Sequence, residues 1–590
     1  MEVTRTFDLL DQYKELFPEK ADALAGKVQG NWVKYSSRDY INYSNWISAG
    51  LLSLGIRKDD VVVTITNNRP EWNFIDMGLA QIGAIHLPIF TTLDNAGYEQ
   101  IFIHSGARMA FVSDKKLADS LRAIQSNLEN LTTIYSFDEV VGVSHWKLVV
   151  ELGKKEEEKY RKEIESSKAK TRPEDWVTLL YTSGTTGNSK GVMLSHQNLI
   201  SNAKAAAGVF QLGPQHKYLS ILPLCHVGER MANYQTQYSG CCIYYAENVS
   251  TIAKDLQELK PEGFGAVPRI LEKVYDRIVA KGETLTGVKR ALFFWALNLG
   301  LKYEPENKNG FLYTLQLKIA NALIFNKWRL ALGGNVKSIG IGGAALSPKI
   351  EKVFWAAGIK LLNMYGLTET SPIITINRSE PPLLKLGTVG ALIDKVQLKI
   401  AEDGEILCKG PNVMLGYYKD EAATALVIDA NGWFHTGDVG VLIENQFLKI
   451  TDRKKEIFKL SNGKYVAPQG IESLLNESTF IDQSMVIGEG EKFASALISP
   501  NQDALRKWSA EKGITATLIA DLITHPEVIK HYKDRVEQVN VSLEAHQKLK
   551  RTRLVAEEWT PESGCLSPTL KLKRRVLLEK YKILIGEIFG

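Results

Sequence analysis

The chain has 590 residues, 44% of them hydrophobic and 24% charged, and its 72 basic and 67 acidic side chains leave a net charge of +5. That length is enough for several buried cores. The composition excludes a disordered chain and a membrane-spanning bundle, and so small a net charge gives no case for nucleic acid as a partner. The five cysteines, Cys225, Cys241, Cys242, Cys408 and Cys565, form no C-x-x-C pair. Neither a disulfide framework nor a zinc site is expected, and a reducing, cytoplasmic compartment is. Met1 to Phe7 lacks a basic stretch followed by an apolar run and does not read as a signal peptide.

Val61 to Thr66 is rich in β-branched residues and predicts a buried strand, followed by a helix around Phe74 to Ile82. Residues 157 to 170 are a charged run, read as a solvated helix or linker. Val177 to Tyr181 predicts the strand that opens a second region, and Phe264 to Val267, Ser338 to Ile341 and Lys360 to Met364 predict others. Ala291 to Leu301 is strongly apolar but about half the length needed to cross a bilayer. Its length favours a buried helix, while the flanking Lys289, Arg290 and Lys302 give the other reading, a surface that touches membrane.

The alternation of strands and helices predicts an α/β fold with mixed or parallel sheets. Past residue 450 charge becomes denser, and Thr451 to Glu456 reads as an exposed connector. Residues 503 to 549 are rich in helix formers, with Val528, Tyr532, Val536, Val539 and Leu543 at the spacing of a packed helix face. The expected organisation is a large N-terminal domain over 1–452 and a small α+β C-terminal domain over 453–590.

Tyr181 to Gly191 (YTSGTTGNSKG) follows a strand with a run of glycines and hydroxyls that ends near a lysine. Glycines let backbone N–H groups approach phosphate oxygens, hydroxyls add donors, and Lys190 adds charge. It is not a Walker loop, because Ser189 stands where the second glycine is required. The loop resembles the phosphate-binding loop of the adenylate-forming superfamily, whose members include acyl-CoA synthetases, luciferases and peptide-synthetase adenylation domains. Most relatives carry proline at the Ser189 position. The resemblance implies that Thr182, Ser183, Gly184, Thr185, Thr186, Gly187 and Lys190 bind nucleotide phosphate.

Further motifs carry the same resemblance. In Tyr365-Gly366-Leu367-Thr368-Glu369-Thr370 it implies that Tyr365 and Gly366 meet adenine, Thr368 bonds the α-phosphate, and Glu369 holds magnesium. In Gly432 to Asp438 it implies that Asp438 receives the ribose hydroxyls, joined by Arg453. Gly340 to Ala345 matches the dinucleotide fingerprint G-x-G-x-x-A, but Asn363 stands near where that motif needs an acid. The preferred reading has Gly342, Gly343 and Ala344 lining the adenine pocket.

Leu222 to Arg230 (LPLCHVGER) resembles the acyl-pocket histidine segment, in the Glu-Arg form of the long-chain fatty acyl-CoA synthetase branch. Val267-Pro268-Arg269 and Glu272-Lys273 resemble the same branch. This puts His226 at the carboxylate end of the pocket and Ala232, Tyr234 and Tyr238 along a tunnel. Arg230 occupies the position where some relatives have a gating tryptophan. Near the C-terminus, Lys571 matches the catalytic lysine, with Lys573 as its rival and Leu570 in place of the usual glycine. Lys455 matches the hinge residue, and Gly463, within Asn462 to Gln469, matches the coenzyme A tunnel.

The expected activity is therefore two-step: ATP and a long-chain fatty acid give acyl-AMP and pyrophosphate, and coenzyme A then takes the acyl group. Magnesium accompanies ATP. No serine or cysteine in these motifs has a nucleophile–base arrangement, so no covalent enzyme intermediate is expected. The competing readings are a fatty acyl-AMP ligase loading a carrier protein, an oxidising luciferase-type relative and a fatty-acid-binding scaffold. Intact Lys190, Glu369, Asp438 and Arg453 speak against the scaffold. A homodimer and a peripheral contact at the inner face of the membrane are further expectations.

Overall fold

Val61–Ile65, five buried residues all of which are β-branched, is the centre from which the first sheet grows. A computed structural model, which describes residues 2–182, 189–306, 308–567 and 570–590, pairs it in parallel with Ile85–Ile89 on one side and Met109–Val112 on the other. The eight-stranded sheet continues through Trp176–Thr182 to Lys190–Ser195 and Gly416–Tyr417, where pairing turns antiparallel. The helix Pro70–Gln81 starts earlier than the sequence pattern indicated, because Pro70 sits at its first turn, where its missing N–H is harmless. Every residue of that helix is buried.

A nine-stranded sheet lies alongside. Its parallel centre includes Lys217–Ser220, Gly263–Ala266, Ser338–Ile341 and Lys360–Gly366, and its edges are antiparallel. The helices His196–Phe210 and Val227–Tyr238 each bury a broad face in the same region. Ser195 caps the first through a reciprocal capping box with Asn198. A four-stranded antiparallel sheet carries the hairpin Phe434–Ile443 and Phe447–Arg453. Strands Ile481–Ile487, Ala494–Pro500 and Leu549–Leu554 form a three-stranded sheet with helices such as Pro526–Asn540, where Val528, Tyr532 and Val536 are buried. The fold is thus a large α/β region of mixed sheets followed by a smaller α+β unit. Buried apolar residues from Phe458 onward cluster only with one another.

One sequence expectation is corrected. Thr451 to Arg453 are not connector but the end of a strand, paired with Asp438 and Val439; backbone pairing there overrides the charge of the side chains, and the turn comes after Arg453. The chain described ends in two helices, Arg574–Lys580 and Lys582–Phe589, broken at Tyr581. The charged run 157–170 lies within the helix Lys147–Lys170. Ala291 to Leu301 belongs to the helix Gly287–Leu301 and buries Phe293, Ala296, Leu297 and Leu299, the buried-helix reading.

Candidate active site

Four chain segments far apart in sequence deliver charged side chains to one cleft. Strand pairing places Lys190 opposite Thr182 at the loop end of the hairpin, on the two sides of the phosphate-loop motif. Ser183, Gly184, Thr185, Thr186 and Gly187 lie outside the described residues. Lys190 Nζ stands 4.6 Å from the centre of the Tyr417 ring, and the Tyr417 hydroxyl donates to Glu369 Oε1 at 2.9 Å. Tyr417 escaped the sequence reading; only its strand pairing with Val192 brings it here.

Glu369 sits in the short turn Thr368–Thr370 after the strand Lys360–Gly366. Gly366 has to be glycine, because a Cβ there would lie 1.7 Å from the Pro372 carbonyl oxygen. Thr370 Oγ1 accepts from the Leu367 N–H at 2.9 Å and donates to the Pro372 carbonyl at 2.6 Å, fixing the turn. One residue before Gly366, the Tyr365 hydroxyl donates to Asp438 Oδ2 at 2.8 Å. The other oxygen of Asp438 lies 3.1 Å from Arg453 Nε, a pairing set by the register of the hairpin, in which Asp438 faces Arg453. Burial pushes the Asp438 carboxyl up; Arg453, Tyr365 and Lys571 work against it.

Lys571 comes from the C-terminal unit and reaches the same cleft. Its charge acts on Asp438 and His226, and Arg453, Glu456 and Glu369 act on it. The side chain meets solvent along the cleft, yet protein closes around it, and that desolvation, aided by the Arg453 charge, brings its ammonium down to about 8. The turn presenting it is closed by Ser567 N–H to the Lys571 carbonyl at 2.7 Å and Lys571 N–H to Ser567 Oγ at 3.0 Å. Leu570 within it has φ +62°, a left-handed conformation suited to glycine. Lys573 instead stands at the N-cap position of the helix Arg574–Lys580, with no side-chain hydrogen bond to its first turn.

His226 is the N-cap of the helix Val227–Tyr238, and its Nδ1 accepts from the Gly228 N–H at 3.1 Å. Burial, with the Lys571 charge, lowers its pKa to about 4. At neutral pH the ring is uncharged, and since Nδ1 is the acceptor, the proton sits on Nε2. Arg230 is no gate. It is fully buried, with Nη2 2.5 Å from Asp76 Oδ1 and Nη1 2.5 Å from Thr178 Oγ1. Tyr234, expected on a tunnel wall, is also fully buried and donates to Asp76 Oδ2 at 2.6 Å. Ala232 and Tyr238 are partly exposed.

Gly342, Gly343 and Ala344 form the loop after Ser338–Ile341, with Gly343 at φ +88° and exposed. Lys455 lies in the turn just after Arg453. Gly463 stands at the tip of the hairpin of Phe458–Lys459 and Tyr465–Val466, and its recorded neighbours come from that hairpin.

Three cations, Lys190, Arg453 and Lys571, against the carboxylates Glu369 and Asp438 make a cleft suited to a polyanion. Among the described residues no group of three or more His, Cys, Asp or Glu could hold a metal. Glu369 alone fits magnesium that takes most of its oxygens from phosphates, the habit of that ion.

The sequence profile described as AMP-binding enzyme matches residues 12–418, and that described as AMP-binding enzyme C-terminal domain matches residues 455–590. The chain is 30% identical over 569 residues to the long-chain-fatty-acid–CoA ligase FadD15 of Mycobacterium tuberculosis, covering 95% of this chain and 93% of that protein. It is 30% identical to the peroxisomal long chain acyl-CoA synthetase 7 of Arabidopsis thaliana, over 94% of this chain and 81% of that one. The crystal structure of the anthranilate CoA ligase AuaEII in complex with anthranoyl-AMP shares the fold, with a TM-score of 0.73 at 18% identity, covering 99% of this chain and 100% of the other. With one profile spanning well over half its length and the anion-binding cleft in place, the chain belongs to the AMP-binding enzyme family.

Proposed function

We propose that this protein is a long-chain fatty acid–CoA ligase that forms an acyl-adenylate from ATP and transfers the acyl group to coenzyme A. The observation that carries the reading is the meeting of Lys190, the Tyr417–Glu369 pair, the Asp438–Arg453 pair and Lys571 in one cleft beside His226. The near full-length similarity to FadD15 supports the choice of substrate.

The chemistry follows from charge. A carboxylate is a poor acyl donor because oxide would have to leave; joining it to the α-phosphorus makes adenylate the leaving group. Both reactants are anions, so their approach needs fixed positive charge, and preorganised donors in a partly dehydrated cleft act most strongly. Lys571 neutralises charge between the carboxylate and the α-phosphate. Thr368 donates to that phosphate, and Lys190 with the loop from Thr182 to Gly187 holds the phosphates behind it. Asp438, flanked by Arg453 and Tyr365, accepts from the ribose hydroxyls. Tyr365 and Gly366, with Gly342, Gly343 and Ala344, bound the adenine. Neutral His226, its Nε2–H a donor, orients the fatty carboxylate. Magnesium on Glu369 supplies charge neutralisation as pyrophosphate leaves.

The C-terminal domain, 453–590, then swings about Lys455 relative to 1–452, withdrawing Lys571 and bringing Gly463 to the path of coenzyme A. A homodimer and a peripheral contact with the inner face of the membrane, where the substrate dissolves, complete the reading. No helix among the described residues is long and apolar enough to cross a membrane.

AMP release from magnesium-ATP with a panel of fatty acids, with and without coenzyme A, tests the proposal. AMP and acyl-thioester appearing together, best with long chains, is the expected result. Fatty-acid-dependent pyrophosphate exchange without thioester would move the assignment to a ligase that loads a carrier protein. No turnover with any acid would overturn the reading.

A further inference from the structure

The helix Gly310–Ala320 continues through the wider turn Asn321–Phe325 into Asn326–Ala331, and this rod is apolar on both sides. Its inner side packs into the core through Ala320, Phe325 and Trp328. Its outer side leaves Phe311 81% exposed, Leu312 75%, Leu315 48%, Ile319 46% and Leu323 47%. Leu312, Leu315, Ile319 and Leu323 are three or four residues apart, so they form one stripe rather than scattered exposed residues. A surface helix ordinarily turns polar residues outward, and a contiguous exposed apolar stripe marks an interaction site.

From this stripe and its charge we infer that the outer face of the rod is a docking surface for an anionic lipid bilayer. Between Lys308 and Leu330 there are four basic residues and no acidic one. Lys318 and Lys327, both exposed, have no acidic partner among the described residues. Apolar apexes beside unpaired lysines are what an interfacial helix presents to acyl chains and anionic headgroups. A second copy of the chain is a poorer occupant. Twofold pairing of this face would bring its lysines against their own copies with no carboxylate to meet them. The neighbouring helix Gly287–Leu301, as apolar in sequence, spends its large side chains on the core and offers no comparable stripe. This inference deepens the membrane contact proposed above by giving its surface and its preference for lipid charge.

The test is sedimentation of the full chain with sucrose-loaded phosphatidylcholine vesicles, with and without a phosphatidylglycerol fraction. Two double variants are compared with the wild type: Phe311→Ser with Leu312→Ser, and Lys318→Glu with Lys327→Glu. Wild type should bind the anionic vesicles more tightly than the neutral ones. Each double variant should bind the anionic vesicles about tenfold or more weakly. Turnover of a short, freely soluble fatty acid should be unchanged in both variants, which also reports folding, while turnover of vesicle-borne palmitate should fall. Equal vesicle binding by wild type and variants, or no wild-type preference for anionic vesicles, would overturn the inference. So would a wild-type dimer that the substitutions split, since the face would then be a protein interface. Vesicle binding needs no turnover, so failure of the fatty acid reading would leave this result readable.

Discussion

Replacing Arg230 by methionine should destabilise the protein strongly at high pH and less at low pH. The guanidinium lies at the centre of a buried network that ties the helix capped by His226 to the other sheet. It reaches Asp76 and Thr178, each at 2.5 Å, and the Tyr234 hydroxyl at 3.0 Å. Asp76 also accepts from Tyr234 at 2.6 Å and lies 2.7 Å from His86 Nδ1. Burial alone would push the Asp76 carboxyl up, but Arg230, His86 and Tyr234 together hold it below its ordinary value. Removing one partner of a buried ion pair leaves the other charge uncompensated and costs about 3–5 kcal/mol. His86 decides how much of that cost appears. Burial, with the Arg230 charge, now holds its pKa down against the pull of Asp76. Without Arg230, Asp76 becomes its sole charged neighbour, and the folded-state pKa of His86 rises. Relative to the wild type, the variant's His86 takes up its proton at higher pH, and that protonation offsets part of the cost as pH falls through the variant's folded-state pKa. Urea unfolding followed by tryptophan fluorescence, with Trp72 5.2 Å from the guanidinium, should show a larger deficit at pH 8.5 than at pH 6. Arg230→Met combined with Asp76→Leu should recover much of it. A deficit below about 1 kcal/mol, or one that does not change with pH, would refute the reasoning.

Lys571→Ala should slow fatty-acid-dependent pyrophosphate exchange about 10²–10³-fold while preformed acyl-adenylate is still converted to thioester; loss of both steps would contradict the role given to it, and Lys573→Ala should leave exchange intact. Tyr417→Phe removes the hydrogen bond to Glu369 but keeps the ring under Lys190, so the magnesium dependence of exchange should move to several-fold higher concentration, for a loss of about 1 kcal/mol. Leu570→Gly relieves a left-handed conformation costing about 1–2 kcal/mol, partly offset by the greater entropy of unfolded glycine. Urea unfolding should show equal or higher stability, and a clear loss would mean that the leucine contacts matter more than its strain. Lys455→Pro should spare pyrophosphate exchange and block thioester formation, and equal survival of both would remove the hinge.

Much of this site was legible in the sequence because its motifs sit where strands end. Ser338 to Ile341 and Val177 to Tyr181 read correctly as strands, and the glycine-rich stretch after Ser338 to Ile341 as a loop, since buried β-branched runs and glycine are local signals. What joins the motifs is not local. Asp438 and Arg453 are fifteen residues apart, and only hairpin register makes them partners; the same pairing hid the strand in Thr451 to Arg453. Tyr417, one of two adjacent tyrosines, has nothing in its sequence to mark it, since its partner Glu369 is 48 positions away. Gly287–Leu301 and Gly310–Ala320 are both apolar helices, and tertiary packing alone decides that the first is buried and the second shows a face to solvent.

The placement of a hinge at Lys455 can be argued from what grips its neighbours. On the N-terminal side, Arg453 is held in the hairpin against Asp438, and Lys454 is tied to Asp403 at 2.6 Å and to Glu405 at 2.9 Å. On the C-terminal side, Glu456 accepts from Arg574 Nε at 3.0 Å and from Gln469 at 3.0 Å, while Arg574 also grips Glu472 at 2.5 Å. On the proposed hinge, residues 454 and 456 would fall on different bodies, and a rotation between them would be taken up at the residue between, with the Glu456 and Ile457 N–H bonds to the Arg453 carbonyl, at 2.9 and 3.0 Å, having to give. The contacts that would break are polar. Among the described residues they include the Gln469 N–H to Asp452 at 3.1 Å, Ser347 to Glu477 at 2.6 Å and the Arg269–Asp482 ion pair. The apolar cores on the two sides are separate, so a swing exposes groups that water can satisfy rather than a hydrophobic core. Lys571, carried on the moving body beyond Arg574's anchor, would leave the cleft without the nucleotide-facing residues having to rearrange.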